Sequence, residues 1–243
     1  MGGTLARCSA TGVRTVVVTC TTGDLGTVFD PTLLGQNVAA LRARELKCAA
    51  STLGVSRLVQ LGFGDSGLPL YERPAAFANV PVEQAAARLL DVLHEENPDV
   101  IVTYDHTGGY PHLDHVRTHE VTLAAYRQYT RGRLYFVRFP ITWSREFVSA
   151  LRAAGIDAPG SAPSGADAGP DVVEIGVPDA SVTTRVDVRA FVPTKMAAVA
   201  CHASQMTPDH FLRRMPLALA QRLWACEFYS LESAAEGQTD LVG

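Results

Sequence analysis

Short apolar runs alternate with longer amphipathic stretches along the first half of the chain. The apolar runs at 14–20, 57–63, 99–105 and 133–139 predict buried strands with helices between them. This alternation is typical of an α/β protein with a parallel sheet. Because ligands bind beyond the carboxyl ends of such strands, we expect a site in the polar segments after the first three.

The spacing of apolar residues predicts a helix at 36–54, another from Val82 to Leu93, and a third that ends near Tyr129. Residues 2–10 look like the end of a helix. The Gly, Pro and Ala content of 155–170 predicts a flexible loop inside a single domain that spans 1–243. The remaining segments predict two edge strands and then two helices, at 172–175, 183–188, 193–205 and 211–226.

Composition excludes several classes of protein. The chain has 243 residues, with 21 Lys and Arg against 25 Asp and Glu, so its charge does not favour a nucleic-acid partner. No apolar run approaches the roughly 20 residues that a membrane-spanning helix requires. The cysteines are odd in number and scattered, which predicts reduced thiols in a cytoplasmic protein. They are Cys8, Cys20, Cys48, Cys201 and Cys226.

Four of the seven histidines lie between positions 106 and 119, after the third predicted strand and across the start of a helix. His112 and His115 share a face of that helix, and Asp114 is suited to fix the tautomer of an imidazole. Such a cluster favours zinc or a similar divalent ion, against the alternative of solvated histidines at a helix start. Val116 stands where an HExxH metalloprotease has its glutamate, so we exclude that class.

Other polar residues have two interpretations each. Asp24 and Asp65 follow predicted strands and suit either contact with a sugar hydroxyl or the capping of a turn. Arg42 suits either the orientation of a substrate or an exposed ion pair with the residue three positions further along its helix. His202 and Gln205 share a helical face, for which a structural polar contact is the simpler interpretation.

The segment at 108–115 resembles the second signature of the PIG-L/LmbE-like zinc-dependent de-N-acetylases; it reads Gly-Gly-Tyr-Pro-His-Leu-Asp-His. Further segments resemble the same family in the same order, so the resemblance spans nearly the whole chain. It implies a Rossmann-like three-layer α/β fold with a mostly parallel sheet, and it is closest to the branch that acts on mycothiol precursors and conjugates. The further segments are 16–23, 42–54, 61–67, Lys195 with 200–205, and 227–229.

The resemblance implies a role for each residue of the signature. His115 becomes a zinc ligand, His112 the general acid and oxyanion stabiliser, Asp114 its orienting partner, and Tyr110 a mobile contact to substrate and transition state. Leu113 replaces the family's usual proline of this motif. The residues that the resemblance brings to the substrate are Asp24, Arg42, Asp65, His202 and Gln205.

The family's first signature, His-Pro-Asp-Asp-Glu, normally supplies two zinc ligands and the general base. It lies just before a Gly-Gly-Thr-Leu-Ala segment, which here occupies 2–6. We therefore expect the first strand of the family's fold to be missing from this sequence, and the active protein to begin upstream.

The function implied is a zinc-dependent hydrolase that removes the acetyl group from an N-acetylglucosaminyl substrate, such as the inositol-linked sugar of mycothiol synthesis. Its cofactor would be Zn²⁺ or another divalent metal, and its partner a small amino sugar. Two alternatives are an amidase that cleaves mycothiol conjugates and a non-catalytic member that binds a sugar or a partner.

Overall fold

The computed structural model describes residues 1–67, 73–110, 112–157 and 176–232. Its strands form a two-stranded sheet and a four-stranded sheet, in the orders β1-β2 and β3-β4-β6-β5. The strands are β1 (Val16–Thr21), β2 (Arg57–Phe63), β3 (Val100–Thr103), β4 (Arg133–Arg138), β5 (Thr184–Asp187) and β6 (Cys226–Leu231).

The parallel pairing predicted for the first half is confirmed, but its strands divide between two sheets instead of forming one. β1 pairs in parallel with β2, and β3 pairs in parallel with β4. The last two strands differ, because β6 runs antiparallel to both β4 and β5. The apolar pattern of one strand does not encode its direction, and antiparallel edge strands are common on otherwise parallel sheets. The predicted edge strand at 183–188 is confirmed as β5.

Eight α-helices complete the described part of the chain. The predicted helices at 2–10, 36–54 and 82–93, and the one that ends at Tyr129, are all confirmed. The helices are α1 (Gly2–Ala10), α2 (Val38–Thr52), α3 (Val82–Glu96), α4 (Leu113–Tyr129), α5 (Ile141–Ala153), α6 (Val192–Ala200), α7 (Phe211–Arg214) and α8 (Leu217–Leu223).

The single helix predicted over 211–226 is wrong. Met215 adopts an extended conformation at the end of α7, as expected for a residue before proline, and Pro216 then begins α8. Cys226 belongs to strand β6 rather than to a helix. The predicted helix at 193–205 ends at Ala200 and is followed by a 3₁₀ turn over Ala203–Gln205.

Local signals explain where two helices begin and end. The side chain of Asn37 accepts a hydrogen bond from the N–H of Ala40 at the start of α2. Gly54 follows α2 with a φ of +73°, a left-handed conformation that favours glycine. Helix α4 begins at a histidine cap, which is described below. It follows the loop at the carboxyl end of β3.

The main core lies between β1, β2, α3 and α4, and it buries the apolar stripe that predicted α3. A second core joins α5, α6 and α8 around Leu151 and Trp224. Packing on these cores holds the first turn of α4 close to the loop that follows β2. None of the helices in the described ranges is long and apolar enough to cross a membrane.

One cysteine prediction is wrong. Cys48 in α2 and Cys201 after α6 form a disulfide, with Cα atoms 5.8 Å apart. The two positions are separated by 153 residues, so their spacing in the sequence gave no sign of proximity. Cys8, Cys20 and Cys226 are not disulfide-bonded, as predicted.

Two expectations fall on residues that the structure does not describe. Positions 158–170 of the predicted flexible loop lie outside the described residues, and so does the predicted strand at 172–175. The extent of a single domain over 1–243 stays a prediction.

Candidate active site

His115 lies in the first turn of α4, where three neighbours fix its ring. Its Nδ1 donates a hydrogen bond to the carbonyl of Gly108 over 3.0 Å. Tyr104 stacks on one face at a centroid distance of 4.2 Å, and Tyr110 meets the ring edge-on at 4.7 Å. A carbonyl only accepts, so Nδ1 carries the proton and Nε2 keeps a free lone pair.

Gly108 makes this contact possible. Its φ of +72° favours glycine, and a Cβ at this position would lie 2.7 Å from the Cβ of His115. Burial lowers the pKa of His115; the hydrogen bond to Gly108 opposes this, and the nearby His112 adds to it. The net effect is a pKa below the ordinary value, so the ring is neutral at neutral pH.

His112 has the opposite tautomer. It is the N-cap of α4, and its Nδ1 accepts a hydrogen bond from the backbone N–H of Asp114 over 3.1 Å. An amide N–H only donates, so the neutral ring of His112 carries its proton on Nε2. The two imidazoles, 5.2 Å apart between centroids, therefore offer one lone pair and one N–H donor.

The carboxylate of Asp114 is buried, and it binds the loop after β2. It accepts the Ser66 N–H over 3.1 Å and the Ser66 hydroxyl over 2.5 Å. The resemblance implied that this carboxylate orients His112, whereas the direct hydrogen bond between these residues comes from the Asp114 backbone. Ser66 was not singled out by sequence reasoning, although its position in the Gly-rich turn at 61–67 was the available signal.

Asp24 and Asp65 are joined to each other. One oxygen of Asp24 accepts the N–H of Asp65 over 2.8 Å, and the other pairs with Arg73 at 3.0 Å. Burial raises the pKa of the Asp24 carboxyl, but its hydrogen bonds, led by that from Asp65, lower it below the ordinary value overall. Asp24 thus fixes the loop that carries Asp65, which is itself 8% exposed.

The other predicted substrate residues form a second group along α2. Arg42 donates to the side-chain oxygen of Gln205 over 2.6 Å, in place of an ion pair within its own helix. Gln205 in turn donates to Nδ1 of His202 at 3.2 Å. Glu45 accepts two hydrogen bonds from Ser204, both of 2.8 Å. This glutamate is the ion-pair partner, three positions along the helix, that the sequence suggested for Arg42, and the structure buries it against Ser204 instead.

Charge connects this second group to the histidines. Burial raises the pKa of Tyr110, the positive charge of Arg42 opposes this, and Asp65 and Asp114 add to it. Tyr110 is 50% exposed, so part of its side chain is open to solvent. Burial also lowers the pKa of His202, which is therefore neutral at neutral pH.

The other two histidines of the cluster lie apart from this geometry. The side chain of His106 is exposed. His119 lies one turn below His115 in α4, and its Nδ1 bonds the carbonyl of Tyr104 over 3.0 Å. It therefore supports the end of β3.

One group of side chains has the composition and spacing of a metal site. Ligand atoms of Asp65, His112 and Asp114 all lie within 4.8 Å of one another. Two of them have competing bonds, since Nε2 of His112 carries a proton in the tautomer above and Asp114 is held by Ser66. We therefore favour the free Nε2 of His115 as a metal donor.

A cavity of about 390 Å³ also opens beside the end of β2. Among the described residues, those that line it include neither a histidine nor a carboxylate, so the histidine cluster is the better candidate for the reactive site. Its walls come from Gly62, Phe63, Gly64, Pro74, Ala75, Asn79, Val80, Pro81, Gln84 and Arg88.

The geometry defines an α/β protein with a histidine and carboxylate site at the carboxyl ends of its parallel strands. Residues 1–126 match the PIG-L family, described as GlcNAc-PI de-N-acetylase. The 1D-myo-inositol 2-acetamido-2-deoxy-alpha-D-glucopyranoside deacetylase of Acidothermus cellulolyticus is 35% identical, over 95% of this chain and 82% of its own. The chain therefore belongs to the PIG-L de-N-acetylase family, a family of hydrolases.

Solved structures confirm the fold class. The N,N'-diacetylchitobiose deacetylase of Pyrococcus horikoshii is 22% identical and aligns with a TM-score of 0.56, over 96% of this chain and 78% of its own. A zinc-inhibited form of teicoplanin deacetylase Orf2 is 19% identical, also with a TM-score of 0.56, over 95% of this chain and 91% of its own.

Proposed function

We propose that this protein hydrolyses the acetamide of an N-acetylglucosaminyl-inositol substrate, the amino-sugar precursor of mycothiol. Family membership supports the reaction, and the activity for which the Acidothermus relative is named supports the sugar. The observation that carries the proposal is the pair of opposite tautomers at His115 and His112, because metal-dependent amide hydrolysis uses both a ligand for the metal and a hydrogen-bond donor to the carbonyl oxygen.

In this proposal Nε2 of His115 is one ligand of the metal, Zn²⁺ or another divalent ion, and the resemblance assigns two further ligands to the first signature of the family, which this sequence does not contain. The donor chemistry fits, since a neutral imidazole with its second nitrogen bonded to a carbonyl is a typical zinc ligand. When a divalent ion is bound, the chemistry it supplies is polarisation of the acetamide carbonyl and activation of water. Two carboxylates close by, Asp65 and Asp114, add negative charge that favours a cation.

His112 acts as the proton donor. Its Nε2–H stabilises the carbonyl oxygen as negative charge develops there. To deliver a proton to the departing amine, the ring first takes up on Nδ1 the proton that the attacking water loses, and this displaces the hydrogen bond from the Asp114 N–H. Asp114 positions this ring, through the hydrogen bond of its backbone N–H and through the anchoring of its own carboxylate on Ser66. Tyr110 is exposed at the edge of both imidazoles, so its hydroxyl contacts substrate from the solvent side.

The proposed sugar contacts lie in the two polar groups that flank the histidines. Arg42, His202 and Gln205 provide donors and acceptors on the α2 side, and Asp65 provides a carboxylate on the other. Asp24 also belongs to this set, and its hydrogen bond to Asp65 makes it a support for that carboxylate. The cytoplasmic location stays a prediction.

The test is acetate release by the purified chain with added Zn²⁺. N-acetylglucosaminyl-inositol is the substrate, and His112→Ala is compared with His106→Ala, an exposed histidine of the same cluster. Each protein is assayed as given and also preceded by a strand with the His-Pro-Asp-Asp-Glu signature, which by resemblance supplies two zinc ligands and the general base. With that segment we expect release by the wild type and by His106→Ala and loss in His112→Ala; without it we expect little release.

Two results would replace the proposal by its alternatives. Cleavage of a mycothiol S-conjugate without acetate release from the sugar would favour the amidase. Sugar binding in the absence of any amide cleavage would favour a non-catalytic member of the family.

A further inference from the structure

Arg138 and Asp105 form a buried ion pair behind the histidine loop. Arg138 is the last residue of β4, and its Nη1 lies 2.5 Å from Oδ2 of Asp105, two residues after β3. The side chains are 14% and 5% exposed. The Nε of Arg138 also donates to the Ser230 hydroxyl over 2.8 Å. Removal of either charge from such a pair leaves the other buried and unpaired, so the pair is held firmly.

The second oxygen of Asp105 shapes the loop that follows. Oδ1 accepts the backbone N–H of Thr107 over 2.9 Å and its hydroxyl over 2.6 Å, as in an Asx-turn. The Thr107 hydroxyl accepts the N–H of Gly109, and the carbonyl of Asp105 accepts the N–H of Gly108. The whole turn is therefore organised around one carboxyl group, which Arg138 holds in place.

This turn fixes the position of one carbonyl group. Gly108 directs its oxygen at Nδ1 of His115, 3.0 Å away. A ring nitrogen bonded to a carbonyl carries the proton, so the carbonyl selects the tautomer of His115. A turn that relaxed would release Nδ1, and the proton would then distribute between the two ring nitrogens.

We propose that Arg138 is a positioning residue, which acts through Asp105 and the Gly108 carbonyl to hold His115 in the tautomer that leaves Nε2 free to bind a metal. Its purpose rests on the proposed function, in which His115 is the metal ligand. The positioning itself is a property of the metal-free protein and is measured there.

The experiment is long-range ¹⁵N–¹H NMR of the metal-free full chain labelled at histidine, with the His115 signal assigned by its loss in His115→Asn. Arg138→Met removes the charge and keeps most of the volume. Arg133→Met, at the opposite end of the same strand, is the matched control. We expect a single Nδ1–H form in the wild type and in Arg133→Met, and a mixture of both tautomers in Arg138→Met.

Arg138→Lys keeps the positive charge and is expected to restore most of the Nδ1–H form. A second measurement is competition for Zn²⁺ with a chelator, in which Arg138→Met is expected to bind about 10–100-fold more weakly than Arg133→Met. If Arg138→Met does not fold, Thr107→Val replaces it, because Thr107 is exposed and its hydroxyl serves only the turn.

A folded Arg138→Met that keeps the pure Nδ1–H form would overturn the proposal. So would an unchanged tautomer in Thr107→Val where Arg138→Met does not fold. Failure of the proposed function is a separate result: wild-type protein that binds no Zn²⁺ and releases no acetate leaves the tautomer measurement intact.

Discussion

The hydroxyl of Ser66 donates to the buried carboxylate of Asp114 over 2.5 Å, and this bond joins the loop after β2 to the first turn of α4. Ser66 is fully buried, and its oxygen also accepts the N–H of Ala78 over 3.0 Å. The bond connects two segments that both carry candidate site residues. The position of the histidine cap on α4 therefore depends on Ser66, which is 48 positions from Asp114 in the sequence.

Ser66→Ala tests this connection. The substitution removes one donor from the buried Asp114 carboxylate and takes away the acceptor of the partly buried N–H of Ala78. We expect a loss of about 1–3 kcal/mol in the free energy of unfolding. Because Asp114 supports His112, acetate release should also fall about 10–100-fold. Urea denaturation and acetate assays measure the two effects. Ser51→Ala, at an exposed serine of α2, is the control, and equal behaviour of the two variants would refute the connection.

His115 and His112 have different expected roles, because their neutral rings carry the proton on different nitrogens. His115→Ala removes the free Nε2 and should weaken Zn²⁺ binding on the order of 100-fold or more, beyond the effect of losing a supporting contact. His112→Ala should leave Zn²⁺ affinity nearly unchanged and lower turnover about 10²–10⁴-fold, as for loss of a proton donor. Chelator competition and acetate release give the two quantities. The reverse pattern would assign the metal to Asp65, His112 and Asp114.

Local patterns in the sequence predicted much of this fold. Asn37 and Gly54 are recognisable limits of α2, and strand β2 has the bounds that its apolar run predicted. The antiparallel direction of β6 depends on pairing with strands far away in the sequence. The break at Pro216 was overlooked, although a proline inside an apolar stripe is a signal of a helix end.

The site was predicted only in part, for the same physical reason. The segment at 108–115 identified His112 and His115 as candidate site residues. This was possible because strand β3, the loop after it and the start of α4 follow one another directly in the sequence. Ser66 and Arg138 reach the site by tertiary contact, so nothing beside them in the sequence marks their role. The disulfide of Cys48 belongs to the same class of long-range contacts.

The disulfide between Cys48 and Cys201 fastens α2 to the segment that carries His202 and Gln205. Cys48 is exposed, so thiol reagents reach it. We expect reduction, or Cys48→Ser, to lower the free energy of unfolding by about 2–4 kcal/mol, the usual contribution of a disulfide. The measurement is urea denaturation with and without a reductant.

The matched control is the double variant Cys48→Ser with Cys201→Ser, whose stability should not respond to the reductant. A thiol assay of the wild type counts the exposed and buried sulfhydryl groups after denaturation. Five free thiols without prior reduction, together with a reductant-independent unfolding midpoint, would contradict the disulfide.

Glu227 in β6 predicts a pH dependence of stability. Its buried carboxylate accepts the N–H of Gly3 and the hydroxyl of Thr4, and it pairs with Lys195 at 2.7 Å. Burial raises the pKa of Glu227, but the Met1 ammonium and Lys195 outweigh burial, and the pKa lies well below its ordinary value of 4.5.

A depressed pKa means that the unfolded chain takes up the proton first as the pH falls. The contribution of Glu227 is therefore complete above about pH 4.5 and decreases below it, by at most about 1.4 kcal/mol per pH unit. Glu227→Gln should cost about 3–5 kcal/mol near pH 7, because Lys195 loses its buried partner. The difference from the wild type should shrink steadily as the pH falls below 4.5.

Urea denaturation at a series of pH values measures this difference. Glu120→Gln is the control, since Glu120 pairs with Arg117 at the surface and is 46% exposed. The free energy of unfolding of Glu120→Gln should differ little from that of the wild type at every pH, because exposed ion pairs contribute little to stability. A Glu227→Gln difference that stayed constant from pH 7 to pH 3 would show that this carboxyl has the same pKa in the folded and unfolded chains.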